Sequence, residues 1–200
     1  MATDLTPKAS KPPMRHWATM AVILVSAAGG GATVDELRSA TQKVDAIKSD
    51  RLRAGTRVDL SLAELNAWVR SQAPAGVRDT ELRIDSAGVA TGSGIVDLAK
   101  VSRSQGFDPG WLLSRLLEGE RPVKVTARIH SANGSARVDV ERAEIGGLEI
   151  DGKTLELLIQ YVLLRVYPNA TVGQSFELGH HIERLDIQPA MVAVVIGAKR

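Results

Sequence analysis

With 200 residues, 44% of them hydrophobic and 24% charged, the chain has the composition of a folded protein of one ordinary domain plus some extra, not of a disordered tail. The formal net charge of +2 comes from the first sixteen residues, where Lys8, Lys11 and Arg15 stand against Asp4. The rest is balanced, which removes any general electrostatic reason to expect a nucleic-acid partner. The absence of cysteine excludes disulfides, thiolate metal sites, a cysteine nucleophile and a lipidated cysteine.

Trp17 to Ala32 is apolar or small and carries no charge. Behind a basic start it reads either as a signal peptide, with Ser26/Ala28 or Gly30/Ala32 as the small pair before the cut, or as a retained membrane anchor. Both versions place the following chain outside the cytoplasm by the positive-inside rule. Residues 1–32 are therefore expected to be the signal peptide or N-terminal anchor, 33–54 an amphipathic helix and linker, and 55–200 a single domain.

Val34, Leu37, Ala40, Thr41, Val44 and Ile47 recur at helical spacing, which predicts an amphipathic helix. A basic run follows, Lys48, Arg51, Arg53 and Arg57, readable as a contact with anionic headgroups or as a solvated linker face. Arg57 to Leu60 predicts a short strand running into Ser61-Leu62-Ala63-Glu64, a capping box. The helix after it shows Leu62, Leu65, Trp68 and Val69 and stops at Ala73-Pro74.

Strands come next. Val77 to Asp85 and Val89 to Val101 flank a turn at Ser86–Gly88, and the second strand sets Ala90, Gly92, Gly94, Val96 and Leu98 on one face. Small residues in a row predict a sharp bend or the close approach of another element, the central helix being the candidate. Asp108-Pro109 opens a short apolar helix to Glu118 with Trp111, Leu112, Leu113, Leu116 and Leu117, either a second core helix or a lid. Val123, Val125, Ala127 and Ile129 then alternate into Asn133-Gly134, a type I′ hairpin signal, and Val138 and Val140 alternate back. That loop predicts Ile129 opposite Val138, Ala127 opposite Val140, and Arg128 opposite Asp139 on the outer face.

Ala143 to Ile150 reads as a continuing strand kinked at Gly146-Gly147. It enters the most apolar stretch of the body, Gly152 to Tyr167, GKTLELLIQYVLLRVY, which predicts a central helix capped by Asp151 and ended by Pro168-Asn169. Apolar over most of its circumference, it needs cover on most sides. Phe176 to Ile187 and Met191 to Ala198 close the chain, and the last strand, apolar on both faces, belongs inside a sheet.

Chemistry-bearing motifs are scarce. His180-His181-Ile182-Glu183 is the most conspicuous cluster, with Asp186 near it, but adjacent strand residues face opposite ways and do not converge on one metal ion. His130 falls on an outer strand face opposite Arg137. No nucleophile elbow, phosphate loop, dinucleotide fingerprint or His-Glu-x-x-His stands in the chain.

The order of elements resembles bacterial envelope proteins of the tubular lipid-binding (TULIP) superfamily. The likeness is carried by Val58–Asn66 (VDLSLAELN), Asp151–Tyr167 and Ile182–Val195, and spans most of residues 55–198. It implies an α+β fold in which a curved antiparallel β-sheet wraps a long apolar helix, with shorter flanking helices. It also implies a non-enzymatic protein that binds an apolar ligand, lipid acyl chains in the first place, at the cell envelope. Leu155, Leu158, Ile159, Val162, Leu163 and Val166 would line the groove, with Trp111, Leu112 and Leu116 at its mouth. No cofactor, metal or nucleic acid is expected. The partners are a lipid and a membrane surface. The alternative is a membrane-tethered assembly module with a solid core that engages another envelope protein.

Overall fold

The computed structural model describes residues 34–97, 100, 119–159 and 172–198. It is an α+β arrangement built mainly from antiparallel strands. Among the described residues no helix is long and apolar enough to cross a membrane; Trp17–Ala32 lies outside them.

The first helix, α1 (Val34–Lys48), has acidic Asp35 and Glu36 in its first turn and Lys48 in its last, matching the helix dipole. Its inward face is narrower than the spacing suggests: Ala40 and Ile47 are buried, while Val34 is 74% exposed. β1 (Arg57–Ser61) follows, and Ser61 caps α2 (Leu62–Gln72) through the full capping box with Glu64. β2 (Val77–Ser86) and β3 (Val89–Asp97) form the first hairpin. β4 (Glu120–Ala132) and β5 (Ser135–Ile145) form the second, around Asn133 and Gly134 with φ of 53° and 77°.

The predicted register of that hairpin is the observed one: Ile129 pairs with Val138, Ala127 with Val140, and Arg128 with Asp139. A bulge between Thr126 and Ala127 leaves Glu141 as the extra residue on β5. Arg128 meets Glu141 at 2.6 Å, two residues from its register partner, while Arg137 pairs with Asp139 of its own strand at 2.8 Å.

Gly146-Gly147 is a tight turn, not a kink. Both glycines have positive φ, 62° and 83°, and β6 (Leu148–Ile150) folds back antiparallel on β5. Two consecutive left-handed positions suit a type I′ turn, and glycine takes them without steric cost. α3 (Gly152–Leu158) follows, then β7 (Ser175–Glu177), β8 (Ile182–Gln188) and β9 (Met191–Ile196).

The strands make two sheets where a single curved one was expected. The large sheet runs β2-β3-β4-β5-β6, with β7 also pairing β5; the small one runs β1-β9-β8. As its apolar pattern requires, β9 is the middle strand. The small sheet carries the main described core: Leu60, Ile182, Val194 and Ile196 meet Ala40 and Ile47 of α1, with Trp68 and Leu65 of α2 packed on them.

The sheets join where β8 meets the hairpin tips of the large sheet. Gly88 N–H donates to the Ile187 carbonyl (3.2 Å) and Gly134 N–H to that of Glu183 (2.8 Å). Between them the Ser131 hydroxyl accepts from Leu185 N–H (2.8 Å) and donates to the Leu185 carbonyl (3.0 Å). One hydroxyl thus serves both backbone groups of Leu185, as a neighbouring strand would. The opposite edge, β2, is treated alike by α2. The Asn66 side chain accepts from Leu82 N–H (2.7 Å) and donates to the Leu82 carbonyl (2.9 Å), and Arg70 donates to the Thr80 carbonyl (3.1 Å).

Candidate functional site

Residues paired across an antiparallel ladder lie on one face, so register alone maps the two faces of the large sheet. One row reads Leu82, Gly92, Val125, Ala143 and Ile150; the next reads Ile84, Ala90, Ala127 and Val140. Gly94, Val123, Ile145 and Leu148 make a third. These three rows are aliphatic; the next, Val77, Val96 and Arg121, ends in a cation. The face is lowest along β3, where Ala90, Gly92 and Gly94 are buried but offer at most a methyl group, between Leu82 and Ile84 on one side and Val125 on the other. The small-residue stripe read from the sequence is therefore a buried row without bulky side chains on an inner strand of the sheet.

The opposite face is polar and tied by charge. Lys124 pairs with Glu144 at 3.0 Å and Arg142 with Glu149 at 3.2 Å, while Thr91 meets Thr126 at 2.9 Å and also bonds Asp85. Exposed pairs of this kind contribute little stability each. They do settle which face is wet.

The residues expected to line a groove are placed in part. Leu155 is buried at 5% exposure and Ile159, directly after α3, is half-buried. Leu158 is the last residue of α3. Val162, Leu163, Val166, Trp111, Leu112 and Leu116 lie outside the described residues, and with them the second half of the expected long helix. Asp151 does stand at the N-cap, but its side chain makes no capping bond; its carbonyl accepts from Leu155 N–H at 3.1 Å. The helix start rests on backbone geometry, with Gly152 at a φ of 49°.

The most concentrated buried electrostatics lies elsewhere, at Glu64. Its carboxylate accepts from Lys43 Nζ at 2.6 and 2.8 Å, from the Ser39 hydroxyl, and from Ser61 N–H at 2.8 Å. Burial pushes its pKa up, but the Lys43, Ser39 and Ser61 hydrogen bonds together outweigh that and bring it from 4.5 down to about 2. Ser39 and Lys43 are one turn apart on α1, so a single carboxylate caps α2 and holds α1 against it. This is a structural lock. A capping-box motif announces the cap; nothing local announces the partners on α1.

His180 Nδ1–H donates to the Asp50 carboxylate at 3.0 Å, and both His180 and His181 have left-handed backbone with φ of 47° and 55°. Among the described residues no three His, Cys, Asp or Glu side chains are grouped to hold a metal ion. His130 is exposed and pairs in register with Arg137. Compared with family models, curated proteins and solved structures, the chain matches none.

Proposed function

We propose that the protein is an extracytoplasmic, non-enzymatic binder of an apolar ligand, lipid acyl chains in the first place, which lie along the trough of the large sheet. One observation supports this reading above the others: the aliphatic face with its lowered floor at Ala90, Gly92 and Gly94. A strand in the middle of a sheet ordinarily presents branched side chains. Leaving them out gives up packing unless something slender takes their place. Affinity would come from apolar area removed from water, at about 25 cal/mol per Å². The uncharged Trp17–Ala32 stretch supports the envelope location.

The second reading, a solid-core module that binds another envelope protein, is favoured by the near-complete burial of Ala90, Ala127 and Ala143, at 2%, 1% and 4% exposure. Native mass spectrometry with lipid extraction, on the exported protein purified without detergent, separates the two. Bound phospholipid or fatty acid is the expected result, and Gly92→Val, which raises the trough floor, should lose it while keeping its fold. A wild-type protein that stays bare after incubation with liposomes returns the function to the solid-core module.

A further inference from the structure

Two residues of the basic run after α1, Arg51 and Arg53, do not share the surface chemistry of the strands. On the strands, arginine faces carboxylate: Arg57 meets Asp59 and Asp186, Arg78 meets Glu120, Arg142 meets Glu149, and Arg184 meets Asp186. Arg51 and Arg53 are exposed, and among the described residues neither side chain has a hydrogen-bond or ion-pair partner. Arg121 and Lys153 also lack one, but each stands alone on a separate element.

The loop that carries them is firmly held. Leu52, between the two arginines, packs against the core, so both flanking side chains are directed outward. Gly55 N–H donates to the Ile196 carbonyl at 2.7 Å and Ile196 N–H to the Thr56 carbonyl at 2.9 Å, fastening the loop to the end of β9. Asp50, the acidic residue of the loop, is taken by His180 at 3.0 Å. The result is a pre-ordered pair of guanidinium groups at one end of the small sheet, with their nearest carboxylate in sequence already engaged.

We propose that this loop docks the protein on an anionic phospholipid bilayer, with Arg51 and Arg53 contacting headgroup phosphates. A protein partner would be expected to find an exposed apolar or aromatic anchor. The loop offers none, because Leu52 is turned into the core. Guanidinium forks suit phosphate oxygens, and an anionic surface attracts each basic residue near it without needing a shaped pocket. Contact with the bilayer at this loop does not depend on whether the trough holds an acyl chain.

The lack of cysteine makes the test clean, since one introduced thiol takes one label. The full-length chain carries a spin label at Ala54→Cys, between Arg53 and Gly55, or, as a control for general adsorption, at Ser71→Cys on α2. Accessibility to a water-soluble relaxation agent is read against titrated phosphatidylcholine vesicles with and without phosphatidylglycerol. Protection of the Ala54→Cys label alone, on the anionic vesicles alone and reversed by salt, is the expected result. Combining Arg51→Ala with Arg53→Ala should raise the lipid needed for half-protection about thirty-fold. Both positions are exposed, so the variant retains its fold, which circular dichroism checks. Equal protection on neutral vesicles, or an unchanged titration in the double variant, overturns the proposal. So does full protection by inorganic phosphate alone, which would mark a free-anion site instead of a bilayer contact.

Discussion

Glu64 does two jobs with one side chain, and its charge is required for the one that holds Lys43. It accepts from the N-cap backbone of α2 and from Ser39 and Lys43 of α1, while being only 7% exposed. Removing the charge leaves Lys43 without its partner in a half-buried setting, so Glu64→Gln is expected to cost about 3 kcal/mol in urea unfolding at neutral pH. The same carboxylate sets an acid sensitivity. Its pKa is depressed in the folded state, from 4.5 to about 2, so its contribution is complete above 4.5 and is lost as pH falls toward 2. At about 1.4 kcal/mol per unit that contribution is about 3 kcal/mol. Wild type should therefore lose stability through this window, and Glu64→Gln should lose about that much less.

At the scale of elements, the join between the sheets concentrates in Ser131. Ser131→Ala strands both backbone groups of Leu185 and should destabilise the protein by about 2 kcal/mol. Hydrogen exchange at the Leu185 amide, which loses its acceptor, should quicken more than at the Gly88 amide, which keeps the Ile187 carbonyl. Elements whose signal is local were legible in the sequence. The Asn133-Gly134 turn and its alternating flanks gave the register of β4 and β5, and Ser61 with Glu64 gave the start of α2. β6 was read as a continuation of β5 because three residues are too short to show an alternation of their own. The division into two sheets was hidden for a different reason. It depends on Ser131 and Asn66, polar side chains bonded to distant backbone, and a reading by hydropathy sorts such residues to the surface. Of the expected groove, Leu155 is buried and Ile159 half-buried, while the residues beyond 160 and around Trp111 fall outside the described residues.

For the molecule as a whole, the order of strands within the small sheet governs when folding can finish. β1 lies near the start of the described chain and β9 at its end, yet they pair directly, and β9 also carries β8. Leu60 cannot meet Val194, nor Ile47 meet Ile196, until the final strand is present. Ending the chain at Ala190 should therefore do more than shorten it. It should leave α1 and β1 unprotected in hydrogen exchange while the β2–β5 hairpins, whose partners are neighbours in sequence, keep slower exchange. Pairing between such distant segments is slow to form, because the loop must close before the contact is rewarded. A nascent chain emerging from its N-terminal end thus has β1 to β8 in place while the main described core is still open. Under the proposed export that delay would have a use: the polypeptide would stay threadable while crossing a membrane, and β9 would shut the fold behind it.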